Sequence, residues 1–365
     1  MKMINVFGSN VGQEELDEIK SCFDDQWLGI GKKVQTFEEQ LAKFTGMSDV
    51  VLVDSGSNAL YIAIEALNLP PHSEIILPAV TWISCATSIE LAGHTPVFAD
   101  VSYNTINIDL DSINNVMSNK TAAIMIVHYA GLPVICPEIH LPIISDCAHA
   151  INTFYKGKHI GSMYGISTFS FDSVKNIACG ELGGVTSPSP TLISEVRNLR
   201  YCGIRKSGFE SSGTKERWWE YELKKAFPKM MPNDISASIG ISQLRRLDSL
   251  QIRRKEIWDI YQRELANVDW IITPPNVPSY VQHSYFTYFI KVINERRDEL
   301  AKYLLDNGIY TTVRYHPLHM ISNYHKGYRL PMAEKINEQL LNIPLHPSLS
   351  DTDVEYIIEK IKKFK

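Results

Sequence analysis

Apolar and polar positions along this chain follow two spacings, one helical and one strand-like, that take turns. Residues 12–23 and 34–44 carry apolar side chains at helical spacing. Residues 50–53 form a short β-branched run that leads through Asp54-Ser55-Gly56-Ser57-Asn58 into an apolar helix over 59–67. Strand-like runs recur at 74–77, 95–98, 121–127, 141–145 and 166–171, with helix-like pieces between several of them. From Asp234 a long helical pattern passes through Leu244, Leu247, Leu250 and Ile257. A strand at 285–292, a helix at 297–307, a strand at 309–313 and helices at 332–341 and 351–361 complete the chain.

Strands alternating with helices predict an α/β fold whose largely parallel sheet is covered on both faces. We expect a large domain over 1–245 and a smaller C-terminal α+β domain over 246–365. In such sheets ligands bind at the carboxyl ends of the strands, and Ser57, Asp146 and Lys175 fall at or just after such ends.

Those ends carry the candidate chemistry. Lys175 follows the 166–171 strand and precedes the glycine-rich run Gly180-Glu181-Leu182-Gly183-Gly184. A lysine whose surroundings lower its pKa can hold a carbonyl cofactor as a Schiff base. Upstream, Leu141-Pro142-Ile143-Ile144-Ser145 ends in Asp146. A strand-end carboxylate paired with such a lysine is what pyridoxal phosphate (PLP) requires, because the carboxylate keeps the pyridine nitrogen protonated. The turn Ser55-Gly56-Ser57-Asn58 opens a helix whose free N–H groups suit a phosphate, or else Ser55 is a plain N-cap. Ser170 can add a hydroxyl to the same phosphate. Trp82 can stack on an aromatic cofactor or simply fill the core. His149 can lie over the cofactor ring or bond its 3′ oxygen, or be structural.

Composition removes other classes. The chain has 365 residues, is 44% hydrophobic and carries a net charge of −5, which gives no basis for nucleic-acid or anionic-membrane binding. The basic runs Arg253-Arg254-Lys255 and 360–365 are short and lie among acids. Six scattered cysteines without a CxxC pair, no apolar stretch of spanning length and no apolar leader predict a cytoplasmic protein. His316 and His319 lack the partners of a metal site, so no metal is expected. No Walker A loop, GxGxxG or GxSxG elbow is present.

Taken in order, the motifs resemble the DegT/DnrJ/EryC1/StrS family of PLP-dependent sugar aminotransferases, of the aspartate-aminotransferase-like fold type I. Trp27-Leu28-Gly29-Ile30-Gly31 with Phe37-Glu38 resembles its N-terminal segment. Residues 55–60 resemble its SGTxAL turn and residues 74–101 its long stretch around TW and GxxPVFxDV. His128-Tyr129-Ala130-Gly131-Leu132-Pro133 resembles HxxGxP, and Asp146-Cys147-Ala148-His149-Ala150 resembles DxAHA. Ser170-Phe171, Lys175 and the glycine run resemble SFxxxKxxxxGExGG. Asn342-Ile343-Pro344-Leu345-His346-Pro347, followed by 351–354, resembles the closing motif.

The resemblance implies a mainly parallel seven-stranded sheet between helices. It assigns Lys175 and Asp146 to the cofactor's aldehyde and ring nitrogen, Trp82 to the ring, and Ser57, Asn58 and Ser170 to the phosphate. It places His149 at the ring or its 3′ oxygen. It implies a homodimer in which a partner-chain segment reaches the phosphate. Here that segment reads Ala226-Phe227-Pro228-Lys229-Met230-Met231-Pro232-Asn233-Asp234, with Lys229 at the lysine position and Asn233 as the alternative. The implied reaction is ping-pong transamination from L-glutamate to a keto sugar, most often a nucleotide-linked 4-keto-6-deoxy hexose. The product is an amino sugar for surface polysaccharide such as lipopolysaccharide O-antigen. Relatives with histidine in place of the lysine are dehydratases, and Lys175 argues against that chemistry. Arg314 and His319 are expected at the substrate, with an ordinary surface ion pair as the other reading of Arg314. Two alternatives stay open: a different acceptor (a 3-keto sugar, sugar aldehyde, cyclitol ketone or keto-acid sugar), and a PLP-binding regulator without turnover.

Overall fold

The computed structural model describes residues 3–136, 139–204, 221–293, 295–325 and 327–364. Strand β1 (Val50–Val53) shows why helices cover both faces of the main sheet. Its side chains alternate. Val51 and Val53 join one apolar cluster with Ala59, Ile62 and Ala63 of α3 (Gly56–Ala66). Val50 and Leu52 join a second with Phe37 and Leu41 of α2 (Lys32–Thr45), which follows α1 (Gln13–Asp24). The same split divides Ile75 and Leu77 from Ile76 in β2 (Glu74–Pro78), and Ala123 and Met125 from Ile124 and Ile126 in β4 (Thr121–Val127). Burying each such side chain contributes about 1.5–3 kcal/mol.

The main sheet adds β3 (Thr95–Ala99), β5 (Ile143–Asp146), β8 (Ile166–Ser170) and β9 (Gly183–Thr186), in the order β1-β9-β8-β5-β4-β2-β3. It has seven strands, and β9 alone is antiparallel to its neighbours. Helices α4 (Ser84–Leu91), α5 (Leu110–Val116) and α6 (Pro190–Leu199) lie between its strands in sequence or follow them. β6 (Phe154–Tyr155) and β7 (Lys158–His159) make a small hairpin.

The expected long helix from Asp234 is two helices, α7 (Asp234–Arg245) and α8 (Leu247–Leu265), which meet at Arg246. Past α8, β10 (Ile271–Ile272), β12 (Tyr288–Val292) and β13 (Leu340–Ile343) form a three-stranded sheet, while β11 (Val281–Gln282) joins the β6–β7 hairpin. Helices α9 (Arg297–Asp306), α10 (Pro331–Gln339) and α11 (Asp351–Lys363) complete this part. The strand expected at 309–313 is not formed. Only single bridges occur there, Ile309 with Ile4 and Thr312 with Asn342. Among the described residues no helix is long and apolar enough to cross a membrane.

Two long-range carboxylates fix the frame of the site. Asp234 accepts the N–H groups of Gly31 at 2.9 Å and Val34 at 3.0 Å, so it caps α2 from the start of α7. Buried Glu38 accepts from Leu52 N–H at 2.9 Å, Arg200 at 2.6 Å and Arg197 at 3.0 Å, which ties α2 to β1 and α6.

Candidate active site

Lys175 sits in a turn that closes on its own backbone. Phe171 N–H donates to Leu182 O, and Cys179 N–H donates to Phe171 O, both at 2.8 Å. Ser173 N–H reaches Gly180 O at 3.0 Å, and Lys175 N–H reaches Asp172 O at 2.9 Å. Gly180, at φ 84°, takes the left-handed conformation that glycine adopts without strain. The Lys175 amine lies 4.9 Å from the Phe286 ring centroid and, among the described residues, has no hydrogen bond or ion pair. Burial pushes its pKa down to about 8. Arg314 pushes the same way, and Asp146 and Asp172 oppose.

Asp146 ends β5, two strands from β9 and beside β8, the strand that leads to Lys175. One carboxylate oxygen accepts the Ala148 N–H at 2.9 Å, and the other lies 3.4 Å from the Cys85 thiol. Burial raises its pKa, against the pull of the Ala148 N–H and Lys175. A buried carboxylate with so few donors is completed by a cationic N–H.

His149 packs flat on Phe286, ring centroids 3.9 Å apart. Its Nδ1 accepts the Ala130 N–H at 3.4 Å and its Nε2 lies 3.1 Å from the Tyr315 hydroxyl. Burial drives its pKa well below the ordinary value, and Lys175 and Arg314 add to that, so the ring is neutral. Trp82 is 55% exposed with its ring 5.7 Å from that of Tyr315.

Arg314 lies with its guanidinium carbon 3.7 Å from the Phe7 ring centroid and donates to Tyr315 Oη at 3.0 Å. Its backbone is held by Asn342, whose Oδ1 accepts the Arg314 N–H at 2.9 Å, and by the Tyr129 hydroxyl, which donates to its carbonyl. Among the described residues no carboxylate pairs with this guanidinium.

At the start of α3, Ser57 and Ser84 share a hydrogen bond of 2.7 Å, and Gly56 passes beside Ser170. Asn58 is committed locally: its N–H goes to Ser55 Oγ at 3.2 Å and its amide to Asp54 at 2.7 Å.

The family model for DegT/DnrJ/EryC1/StrS aminotransferases matches residues 9–362. The chain belongs to this family. It is 34% identical over 371 residues to dTDP-4-dehydro-2,3,6-trideoxy-D-glucose 4-aminotransferase of Saccharopolyspora spinosa, covering 99% of this chain and 96% of that one. The crystal structure of the aminotransferase TlmJ from Streptoalloteichus hindustanus superposes with a TM-score of 0.92 at 34% identity, over 99% of this chain and 98% of TlmJ. Spr1654 of Streptococcus pneumoniae, solved in a PLP form, superposes at 0.89 with 28% identity over 100% of both chains. As a member of this family, the chain is an aminotransferase rather than a regulator without turnover.

The residues present fit PLP. A buried amine without a hydrogen-bond or ion-pair partner among the described residues can take its aldehyde, and a buried carboxylate with no ion pair among them can take its ring nitrogen. A Cβ on Gly56 would stand 2.7 Å from Ser170 Oγ, so a glycine is what keeps the helix start open beside that hydroxyl.

Lys175, Asp146, His149 and Arg314 are thus brought together, with Trp82 joined to them through Tyr315. Lys229 is not part of this group: it is exposed, and its backbone bridges Tyr201. Asn233 spends its side chain capping α7, accepting Ser236 N–H at 2.9 Å. His319 is buried against Glu334 at 3.4 Å, and His316 pairs with Asn337 at 3.0 Å. Sequence reasoning passed over Cys85, Phe7, Phe286 and Tyr315. Of these, Cys85 lies inside the 74–101 stretch and Tyr315 stands next to Arg314, but neither carries a chemical signal of its own in the sequence.

Proposed function

We propose that this chain transfers an amino group from L-glutamate to the C4 carbonyl of a nucleotide-linked 4-keto-6-deoxy hexose. The observation that carries the reading is the buried Lys175 amine, which has no hydrogen-bond or ion-pair partner among the described residues and lies within electrostatic reach of the Asp146 carboxylate. The activity of the Saccharopolyspora relative, a dTDP-4-dehydro-2,3,6-trideoxy-D-glucose 4-aminotransferase, supports the sugar and the ring position. The cofactor is pyridoxal 5′-phosphate, which when bound supplies an aldehyde for amines and a ring that accepts electrons.

The chain's own residues do the rest. Lys175 would anchor the cofactor and, as a free amine, move the proton at the donor α-carbon; burial, which lowers its pKa to about 8 in the cofactor-free protein, favours the uncharged form. Asp146 holds the proton on the ring nitrogen. Ser57, in the first turn of α3, and Ser170, at the end of β8 beside Gly56, would hold the phosphate with the helix N–H groups. Trp82 would stack on the ring, and neutral His149 would lie at the ring or its 3′ oxygen. Arg314 takes an anionic group of a substrate, since a guanidinium fork suits carboxylate or phosphate.

That no carboxylate among the described residues pairs with Arg314 favours one second reading, an acceptor that is itself a keto-acid sugar. The amino sugar product is assigned to surface polysaccharide or glycoconjugate synthesis. We assign the chain to a cytoplasmic homodimer, with exposed Lys229 reaching the partner's site. All six cysteines are free, which agrees with a reducing compartment.

The test begins with the absorbance of the purified protein. A band near ~410–430 nm that gives way to one near ~330 nm on adding L-glutamate shows the first half-reaction. The glutamate-treated protein is then offered 4-keto-6-deoxy and 3-keto nucleotide sugars, and the products are read by mass spectrometry and NMR. A colourless protein that takes up no PLP overturns the reading.

A further inference from the structure

Hydrogen-bond accounting around Tyr315 leaves one proton over. A backbone N–H can only donate, so the Ala130 N–H fixes His149 Nδ1 as an acceptor. His149 is neutral, so its single ring proton sits on Nε2. That N–H donates to Tyr315 Oη, 3.1 Å away. Arg314 has only donors, and its NH1 also donates to Tyr315 Oη, at 3.0 Å. The phenolic oxygen therefore accepts twice and both of its lone pairs are used. Its own hydrogen must donate elsewhere, and among the described residues nothing accepts it.

The geometry holds this hydroxyl in place. His149 is stacked on Phe286 and cannot swing its Nε2 away without losing that contact. Arg314 is gripped through Asn342, Tyr129 and the Phe7 face. The Tyr315 side chain is 9% exposed, and its ring lies against that of Trp82, itself 55% exposed. A largely buried O–H without an acceptor costs free energy until something accepts from it.

Resting on the aminotransferase reading above, we propose that the Tyr315 hydroxyl is a fixed hydrogen-bond donor, aimed by His149 and Arg314, for a negatively charged oxygen in the reacting complex. Two oxygens share that chemistry: the phenolic 3′ oxygen of the cofactor and the ketone oxygen of the acceptor sugar as it takes up charge. Burial holds the phenol in its protonated form.

The experiment compares wild-type holoenzyme with Tyr315→Phe, which keeps the ring and removes only the hydroxyl. Two quantities are read: the pH midpoint of the cofactor band, and the single-turnover rate of each half-reaction. If the acceptor is the cofactor's oxygen, losing the donor raises the midpoint by about one to two pH units. If it is the sugar's oxygen, the midpoint stays and only the sugar half-reaction slows, by about ten- to a hundredfold. Either result supports the proposal. An unmoved midpoint with both half-reactions unchanged, or slowed equally, overturns it. Should Tyr315→Phe fail to fold or to retain cofactor, Tyr315→3-fluorotyrosine keeps both accepting lone pairs and is a stronger donor. It must then move the same quantity in the opposite direction, and no movement overturns the proposal. Wild-type protein that performs neither half-reaction defeats the aminotransferase reading itself, a separate result.

Discussion

Gly56 passes so close to Ser170 that a Cβ on the glycine would stand 2.7 Å from the serine hydroxyl. The backbone of a helix start and a strand-end hydroxyl thus meet with no room for a methyl group. Gly56→Ala must push one of them away, and such overpacking costs about 1–3 kcal/mol. Because the strain falls where the phosphate is assigned, PLP affinity should drop by about ten- to a hundredfold. Cofactor titration by fluorescence, with a thermal melt of the apoprotein beside it, separates lost binding from lost folding. Unchanged affinity would place the phosphate elsewhere.

Asp146→Asn keeps the shape of the side chain and removes its charge. Lys175 is untouched, so the variant should still turn yellow with PLP. The glutamate half-reaction should slow by about 10²–10⁴-fold, since the ring nitrogen no longer keeps its proton. Stopped-flow absorbance measures this directly, and a rate near wild type would remove Asp146 from the role given it.

The lysine titration gives a stability prediction for the cofactor-free protein. Folding lowers the Lys175 pKa from 10.5 to about 8. Between those values the unfolded chain binds more protons than the folded one. The penalty of the buried amine is therefore full below about 8, and the Lys175 contribution to stability rises as pH climbs from there towards 10.5. Lys291, also lowered to about 8, contributes with the same sign. Lys175→Met should flatten part of that rise. Urea unfolding across the window tests it, and identical pH slopes for the two proteins would contradict the assignment.

Arg314→Gln removes the unpaired guanidinium but leaves a polar side chain. The KM of the substrate that supplies the anion should rise by about ten- to a hundredfold. Measuring KM for L-glutamate and for the sugar nucleotide identifies which one it is. If neither changes, Arg314 does not bind substrate.

Asp234→Ala strips the cap from α2, whose first N–H groups have no other side-chain acceptor among the described residues. The cost expected for a lost cap is about 0.5–2 kcal/mol. A lower urea midpoint at unchanged slope would show it.

Much of this architecture is legible in the sequence because strands buried on both faces must be apolar, and β1 is so throughout, β2 and β4 after their first residues, Glu74 and Thr121. β9 hides because it begins with Gly183-Gly184. A Cβ at Gly183 would lie 2.2 Å from Ser55 O, so close packing there demands residues that look like a turn. The run at 309–313 misleads for the converse reason. Ile309 is apolar because it is buried in the C-terminal core, while its backbone makes only a single bridge. In the site, Lys175 and Asp146 are legible because each stands where an apolar strand stops. Cys85, Phe286 and Tyr315 are not, because their significance lies in partners far along the chain: Asp146, His149 and, for Phe286, Lys175.

The backbone around Lys175 is a closed loop clasped at both ends by the sheet, leaving through Ser170 and returning through Gly183, with Phe171 bonded to Leu182 and Cys179 between. Such a base is stiff, so the amine's travel during turnover is set by side-chain torsions alone, within the reach of its four-carbon stem. In the proposed reaction the lysine would act as a tethered shuttle on a fixed post. Substituting a shorter basic residue should shorten the stroke without shifting the post.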